Sequence, residues 1–576
     1  MKRAAKKPPE SLLRFYLVVF VLGAMLVLLV GRVLSLQIID TERGYEFLQD
    51  QGDMRYVRTA EIPAYRGVIT DRRGEPLAVS TPVISLWANP VILDGSERLP
   101  ELAGILGMEP ASLRERLERY RGKQFMYLKR HMVPADAREI LALKIRGVSG
   151  EREYRRFYPA GEVASQLLGF TNVDDQGIAG LELAYEDWLQ GVPGKKKYIK
   201  DLHGEVVRDI GVLEPAQPGK DLTLSIDLRL QYLQHRELRK AVTERGAESG
   251  SVVTLDAHTG EVLAMVNYPT YNPNSIKGSD PASMRNRAVT DVYEPGSTMK
   301  TLTLVAALES GRFTTSTMID TSPGRIRVGP KVYPDPRNYG LISVSRIIEK
   351  SSQVGTTKIA LDLGHEPIRE VFNRFGIGHA PGTGFPGESG GSLPDRARWY
   401  ATEKVSLAFG YGISATPLQL ARAYSVFANK GVQQPVSLLA LEGEASPGER
   451  IVSTQIAREV LGVLHAVTGE EGTARKARVP GFAVGGKTGT VRKMGPQGYS
   501  ADNYVAWFAG IAPIEDPRIV TVVVINDPRG EAYGGGAVAA PVFSAVTRGA
   551  LRLLNVAPTE IEELAAASAA AARGPA

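Results

Sequence analysis

Three short segments of this chain carry side chains suited to acyl transfer. The first is Glu294-Pro295-Gly296-Ser297-Thr298-Met299-Lys300, followed by the apolar run from Leu302 to Leu308. A serine hydroxyl is a weak nucleophile until a neighbouring base takes its proton. Pro and Gly mark the start of a helix, and the apolar run after them predicts that the helix is buried. Ser297 then stands where unpaired backbone N–H groups and the helix dipole favour a developing alkoxide. Lys300, three positions on, shares its face, which puts Nζ within reach of Oγ. Burial lowers a lysine's pKa and lets it act as a base. Taken alone, a capping Ser followed by an exposed Lys fits the same letters.

The second segment is Glu349-Lys350-Ser351-Ser352-Gln353-Val354-Gly355. A hydroxyl at 351 could relay a proton, and the Gln353 carboxamide could grip a substrate amide. The third is Gly485-Gly486-Lys487-Thr488-Gly489-Thr490. Lys and hydroxyls alternating with Gly on an edge strand suit an extended peptide. The backbone supplies ladder bonds, Lys487 attracts a carboxylate with Thr488 and Thr490 beside it, and Gly489 allows close approach.

The elements that must position these segments are legible from residue 220 onward. Residues 222–226 read as a strand and 228–242 as a helix. Residues 252–256 and 261–266 form a hairpin across Ala257-His258-Thr259-Gly260. Residues 505–511 and 519–525 are again β-branched and apolar, and 537–554 reads as a closing helix. Strands at both ends with a helical middle predict one antiparallel sheet built from the domain's two termini. Upstream, residues 66–74 read as a strand running into a turn, 157–162 as a turn-bounded element, and 182–189 as a short amphipathic helix. No nucleophile–base pair stands out before residue 219, which predicts a structural, partner-contacting role for that region. Pro215-Ala216-Gln217-Pro218-Gly219 is the linker candidate.

Residues 15–31 contain no charge, and the apolar run resumes after Arg32. As a helix, 15–36 rises about 33 Å, enough to cross a bilayer core. Lys2, Arg3, Lys6, Lys7 and Arg14 precede it, so the amino terminus is expected to stay cytoplasmic and the rest to be exported. A cleaved signal peptide is the rival reading, with an overlong apolar segment.

The formal charge of +6 is concentrated there: residues 1–39 hold six basic side chains against Glu10. The folded remainder is nearly neutral, which excludes a nucleic-acid-binding surface of the usual basic kind. With no cysteine, disulfides, thiolate nucleophiles and sulfur-ligated metals are excluded. Seven scattered histidines support neither a zinc site nor a Ser-His-Asp triad. No cofactor is implied. Two decoys fail on context. Residues 481–488 match a phosphate-binding loop but lack the preceding apolar strand and following helix. Gly387-Glu388-Ser389-Gly390-Gly391 matches a nucleophile elbow, yet its proline-containing flanks predict a loop.

The ordered set Ser297-x-x-Lys300, Ser351-x-x, Lys487-Thr488-Gly489 resembles the three signature motifs of penicillin-binding proteins and class A β-lactamases. The likeness extends through Arg66-Gly67, Phe157-Tyr158-Pro159-Ala160-Gly161, Gly177-Ile178-Ala179-Gly180-Leu181-Glu182 and Tyr533-Gly534-Gly535. The whole chain is similar to class B penicillin-binding proteins of the division-specific type.

That resemblance implies a multidomain α+β protein. A cytoplasmic tail (1–14) and a single transmembrane helix (15–37) precede an elongated, non-catalytic, dimerisation-like pedestal (38–219). A transpeptidase domain with a central antiparallel sheet flanked by helices follows (220–556), then an Ala-rich tail (557–576). It further implies an inner-membrane protein with a periplasmic catalytic domain, acting on D-Ala-D-Ala stem peptides and inhibited by β-lactams. Ser297 would be the nucleophile, Lys300 the base and Ser351 a proton relay. Gln353, Lys487, Thr488, Gly489 and Thr490 would bind substrate, and the N–H groups of Ser297 and Thr490 would form the oxyanion hole. The implied partners are an FtsW-type glycosyltransferase and other divisome membrane proteins, since residues 40–219 carry no glycosyltransferase-like catalytic segment.

Two departures stand out. The family's second motif ends in Asn where this chain has Gln353, one methylene longer. Thr301 replaces a common Pro, a difference expected to lie on the helix surface. The alternatives are an elongation-type class B enzyme, and a low-turnover divisome scaffold or penicillin-sensing paralogue. A soluble β-lactamase would need neither anchor nor pedestal.

Overall fold

The structure is a computed structural model that describes residues 10–37, 57–200, 206–495 and 498–560. The expected Ala-rich tail lies almost wholly outside the described residues, as do residues 1–9. The chain divides into two compact units, one of residues up to 64 with 191–218, the other of 65–190 with 219 onward.

In the first unit a single helix spans Glu10–Gln37. Its stretch Leu12–Leu34 has a mean hydropathy of 2.7 and buries none of its surface within the protein. A helix apolar on all sides with none of these residues buried fits a membrane-spanning anchor. Its start at Glu10 is earlier than the sequence suggests. The same unit holds a three-stranded antiparallel sheet, with Gly194–Lys200 between Val57–Ile62 and Val206–Glu214.

The second unit contains a smaller sheet and a larger one. In the smaller, Pro76–Ala88 pairs with Met126–Met132, Val148–Phe157 and Ile69–Thr70. Leu86, Leu102, Leu113, Leu117 and Met126 form its core. Of the expected 222–226 strand, Leu222–Thr223 pairs parallel to Ile69–Thr70 and Leu224 adds one antiparallel bridge to Leu439. Asp227 ends that run because its side chain accepts from the Arg229 N–H and caps the next helix. The expected helix 182–189 is instead two single turns, Gly180–Ala184 and Glu186–Leu189. Glu182 explains the break: it is wholly buried and accepts from Arg66 Nε and Arg156 Nε, both at 2.6 Å. A carboxylate bridging two buried guanidiniums dictates the local backbone more strongly than helix propensity does.

The larger sheet consists of β1 (Ser249–Asp256), β2 (Val262–Tyr268), β3 (Gly485–Gly495), β4 (Gly498–Ala512) and β5 (Ile519–Asn526). The order is β2-β1-β5-β4-β3, antiparallel throughout. Strands from both ends of the domain therefore meet as expected. All eight residues of β1 and of β5 are buried. Because successive side chains point to opposite faces, both faces of the sheet are covered. Helices α1 (Leu228–Glu244) and α5 (Gly535–Leu553) pack on each other and on the sheet. Helix α4 (Pro417–Ala428) packs on β1, β4 and β5. Between these lie α2 (Lys300–Glu309) and α3 (Gln353–Leu363), which begin at the first two motifs. Strand β3, with the third, is the sheet's edge.

Candidate active site

Ser297 lies in a 3₁₀ turn, Gly296–Met299, that runs directly into α2. Gly296 has φ +58°, and a Cβ there would come within 2.3 Å of Val491 Cγ2 on β3. Only glycine satisfies both that left-handed backbone and that contact. Glycine is equally required at 489, where a Cβ would stand 2.7 Å from the Pro295 carbonyl. These two bare positions let the edge strand lie directly against the serine turn. Helix α4 supports the same turn: Tyr424 Oη donates to the Thr298 carbonyl at 2.8 Å and lies 3.0 Å from Thr301 Oγ1. Thr301 is fully buried. It therefore belongs to the core and not, as its motif position suggested, to the helix surface.

Lys300 is 1% exposed, and its Nζ donates to the Ser351 carbonyl at 2.7 Å, Ser351 Oγ at 3.3 Å and the Ser352 carbonyl at 3.4 Å. Phe409 closes one side, its ring centroid 5.2 Å away. The i, i+3 spacing pointed to Ser297 Oγ as the partner. The fixed acceptors of the second motif hold the amine instead, and Ser297 remains half-exposed. Catalytic hydrogen bonds commonly tighten only when substrate arrives. Burial pushes the Lys300 amine down to about 7, although the Asp335 carboxylate works in the opposite direction.

Lys487 comes from β3 and is fully buried. Its Nζ donates to Ser351 Oγ at 3.0 Å and to the Thr488 carbonyl at 3.2 Å. Burial, and then the nearby charge of Lys300, hold its pKa well below the ordinary lysine value. Ser351 adopts φ +55°, an uncommon left-handed conformation for a serine. It turns the chain between the helix Val344–Glu349 and α3 and aims its hydroxyl at both amines.

Asp335, absent from the motif reading, holds this turn in place. It accepts from Ser352 Oγ at 2.6 Å, from the Gln353 N–H at 2.5 Å and from the Val354 N–H at 3.2 Å. Ser352 Oγ in turn accepts from the Gly355 N–H and caps α3. The Pro334-Asp335-Pro336 context marks a rigid loop, but nothing in it indicates a partner seventeen residues on. Gln353 is half-buried and is anchored through this backbone bond. Thr488 is almost buried, with Thr473 Oγ1 3.4 Å from its hydroxyl. Thr490 Oγ1 accepts from the Gly535 N–H at 3.0 Å, which joins β3 to the start of α5.

The three motifs therefore form one constellation. The decoys do not: Lys487 and Thr488 are strand residues with no helix after them, and residues 387–391 form a loop. Among the described residues no cluster of acidic and histidine side chains could hold a metal.

Residues 250–548 match the family model of the penicillin binding protein transpeptidase domain. Residues 61–224 match that of the penicillin-binding protein dimerisation domain. The chain is 41% identical to the probable peptidoglycan D,D-transpeptidase PbpC of Pseudomonas aeruginosa, over 96% of this chain and 97% of that protein. It is also 41% identical to the peptidoglycan D,D-transpeptidase FtsI of Escherichia coli, over 95% of this chain and 92% of that one. Among solved structures, penicillin-binding protein 3 of Mycobacterium tuberculosis in complex with aztreonam aligns with a TM-score of 0.68 at 28% identity. That alignment covers 87% of this chain and 98% of the other. With two family models and relatives aligned over more than nine-tenths of the chain in agreement, the chain belongs to the class B penicillin-binding proteins, a dimerisation domain followed by a transpeptidase domain.

Proposed function

We propose that this protein is a serine peptidoglycan D,D-transpeptidase of septal wall synthesis and a target of β-lactams. The observation that carries this reading is the convergence of two buried lysine amines on Ser351 Oγ, one of them with a pKa near neutrality, beside the Ser297 turn. Relatives named probable peptidoglycan D,D-transpeptidase and peptidoglycan D,D-transpeptidase, aligned over more than nine-tenths of either chain, support it.

Ser297 Oγ attacks the carbonyl of the penultimate D-Ala, and its proton passes to neutral Lys300, directly or through Ser351 Oγ. The N–H groups of Ser297 and Thr490 stabilise the oxyanion. Collapse breaks the C–N bond. The proton returns through Ser351 to the departing amine, and terminal D-Ala leaves. An amine of a second stem peptide then attacks the ester. A new C–N bond forms, the Ser297 C–O bond breaks, and the hydroxyl regains its proton. Lys487, Thr488 and Thr490 hold the donor's terminal carboxylate. A carboxylate arriving beside Lys487 favours the charged amine and offsets the cost of its burial. Gly489 admits the peptide to the strand, and Gln353 orients its amide.

On this reading residues 38–219 form the non-catalytic pedestal and 220–556 the catalytic domain. The positively charged tail keeps the amino terminus in the cytoplasm, so catalysis takes place in the periplasm. An FtsW-type glycosyltransferase and other divisome membrane proteins supply and position the glycan strands.

Intact-mass spectrometry after penicillin exposure tests the assignment. One adduct located on Ser297, absent in Ser297→Ala, is the expected result. A folded wild type that takes no adduct would instead make this a divisome scaffold.

A further inference from the structure

A second polar site lies in the unit of residues 65–190 and 219 onward. A cavity of about 240 Å³ is bounded by the strand end at Tyr154–Tyr158, the turn at Thr171–Asp175 and the loop at Asn274. Arg156 is 4% exposed. Its Nε is bound to Glu182 at 2.6 Å and its Nη1 to the Gly67 carbonyl at 2.8 Å, but Nη2 has no partner. Tyr158, 2% exposed, has a hydroxyl without a partner, and so has Asp175 Oδ1. Thr171 stands beside both, although neither makes a hydrogen bond of good geometry with it. His131 Nε2 is also unpartnered, with Glu153 Oε2 3.5 Å away.

Leaving a buried polar atom unsatisfied is costly, and native proteins rarely cluster such atoms without something to bind them. Two of these residues are held in place. Asn274 clamps Tyr158 by accepting from its N–H at 3.0 Å and donating to its carbonyl at 2.9 Å. Arg156 is locked by Glu182. Exposed Val173 and Arg155 border the cavity and open it to solvent.

The chemistry of the unpartnered set selects a ligand class. It offers a guanidinium N–H donor, a carboxylate acceptor and a phenol that does both. The two guanidiniums of Arg66 and Arg156 are already matched by Glu182 and Glu186, and Asp175 adds a further carboxyl, so the site does not call for a strong anion. A neutral molecule with adjacent hydroxyls satisfies donor and acceptor together, and half-buried Tyr154 adds an aromatic side chain to the cavity wall. The volume is below that of ordinary drug-sized sites and suits a single ring.

We propose that this cavity is a saccharide-binding site that takes one sugar residue of a glycan. The choice of a glycan rests on the transpeptidase reading, because the stem peptides it joins hang from glycan strands. Saturation-transfer NMR and calorimetric titration of the full-length protein, in a detergent without a sugar headgroup, with the β-1,4-linked N-acetylglucosamine disaccharide test it. Binding by wild type, weakened at least tenfold by both Tyr158→Phe and Asp175→Asn, is expected. No binding, or equal binding by both variants, overturns the site and leaves its polar atoms to ordered water. Tyr158→Phe removes one oxygen and keeps the ring, so it separates loss of the ligand from loss of the fold. Penicillin acylation of Ser297 in the same samples reports on the other reading. Acylation without sugar binding overturns only the saccharide site, and sugar binding without acylation overturns only the transpeptidase.

Discussion

Lys300 and Lys487, from the start of α2 and from the edge strand β3, donate to one oxygen, Ser351 Oγ, at 3.3 and 3.0 Å. Two ammonium groups so placed and buried repel each other, so the pair favours at least one neutral amine. A hydroxyl that accepts from both keeps its own proton for transfer. On the proposed reading, this gives the site a base at neutral pH without any histidine.

The rate of acylation by penicillin should rise with pH through about 7, the point to which burial lowers Lys300, and level off above it. Protonated Lys300 cannot take the Ser297 proton, hence the sign. Lys300→Ala should slow acylation by about 10²–10⁴-fold and abolish the pH step. Stopped-flow acylation across pH 5.5–9 checks both, and a profile flat through neutrality would rule out Lys300 as the base. Stability follows the same group. The unfolded lysine binds a proton that the folded one releases, so the Lys300 contribution should increase as pH rises from about 7 toward the ordinary lysine value.

Asp335→Asn should act on the same profile without touching substrate. The carboxylate raises the Lys300 pKa, so its neutralisation should move the acylation midpoint to lower pH. Asp335→Ala should be worse, because Ser352 Oγ and the N–H groups of Gln353 and Val354 lose their acceptor. About 1–3 kcal/mol of stability should go for each unsatisfied group. Thermal melts combined with the pH–rate curve distinguish the electrostatic effect from the structural one.

Tyr424→Phe should destabilise the catalytic domain by about 1–3 kcal/mol, because it strips the Thr298 carbonyl and Thr301 Oγ1 of a buried partner. Acylation should fall with it, since that bond supports the serine turn. Thr301→Val, which removes only the second partner, should cost less. Denaturant titration of the three proteins orders them, and an order with Thr301→Val as the weakest would contradict this account.

Gln353→Asn shortens the side chain by one methylene and leaves its N–H bond to Asp335 intact. Positioning errors near 1 Å cost as much as about 100-fold in rate. Turnover of a D-Ala-D-Ala stem-peptide donor should therefore change markedly while the melting temperature does not. Equal turnover in the two proteins would show that the longer amide is tolerated without consequence.

The sequence by itself determined the three motifs and their order. Ser297, Lys300, Ser351 and the Lys487–Thr490 strand were legible because each motif sits at the junction of an element whose apolar period is strong. For the same reason the sheet built from both termini, the closing helix Gly535–Leu553 and the apolar span could be read from patterning alone. Only the tertiary structure decided which partners meet. Periodicity says which face of an element is apolar, not which distant loop will cover it. So Asp335 beneath the second motif, Tyr424 behind the serine turn and the burial of Thr301 left no trace in local pattern. The break at Tyr185 has the same origin: two arginines distant in sequence hold Glu182 in the turn before it, and their demand overrides a short helix's weak preference. Contacts of that kind are set by packing in three dimensions, and the chain's linear order does not contain them.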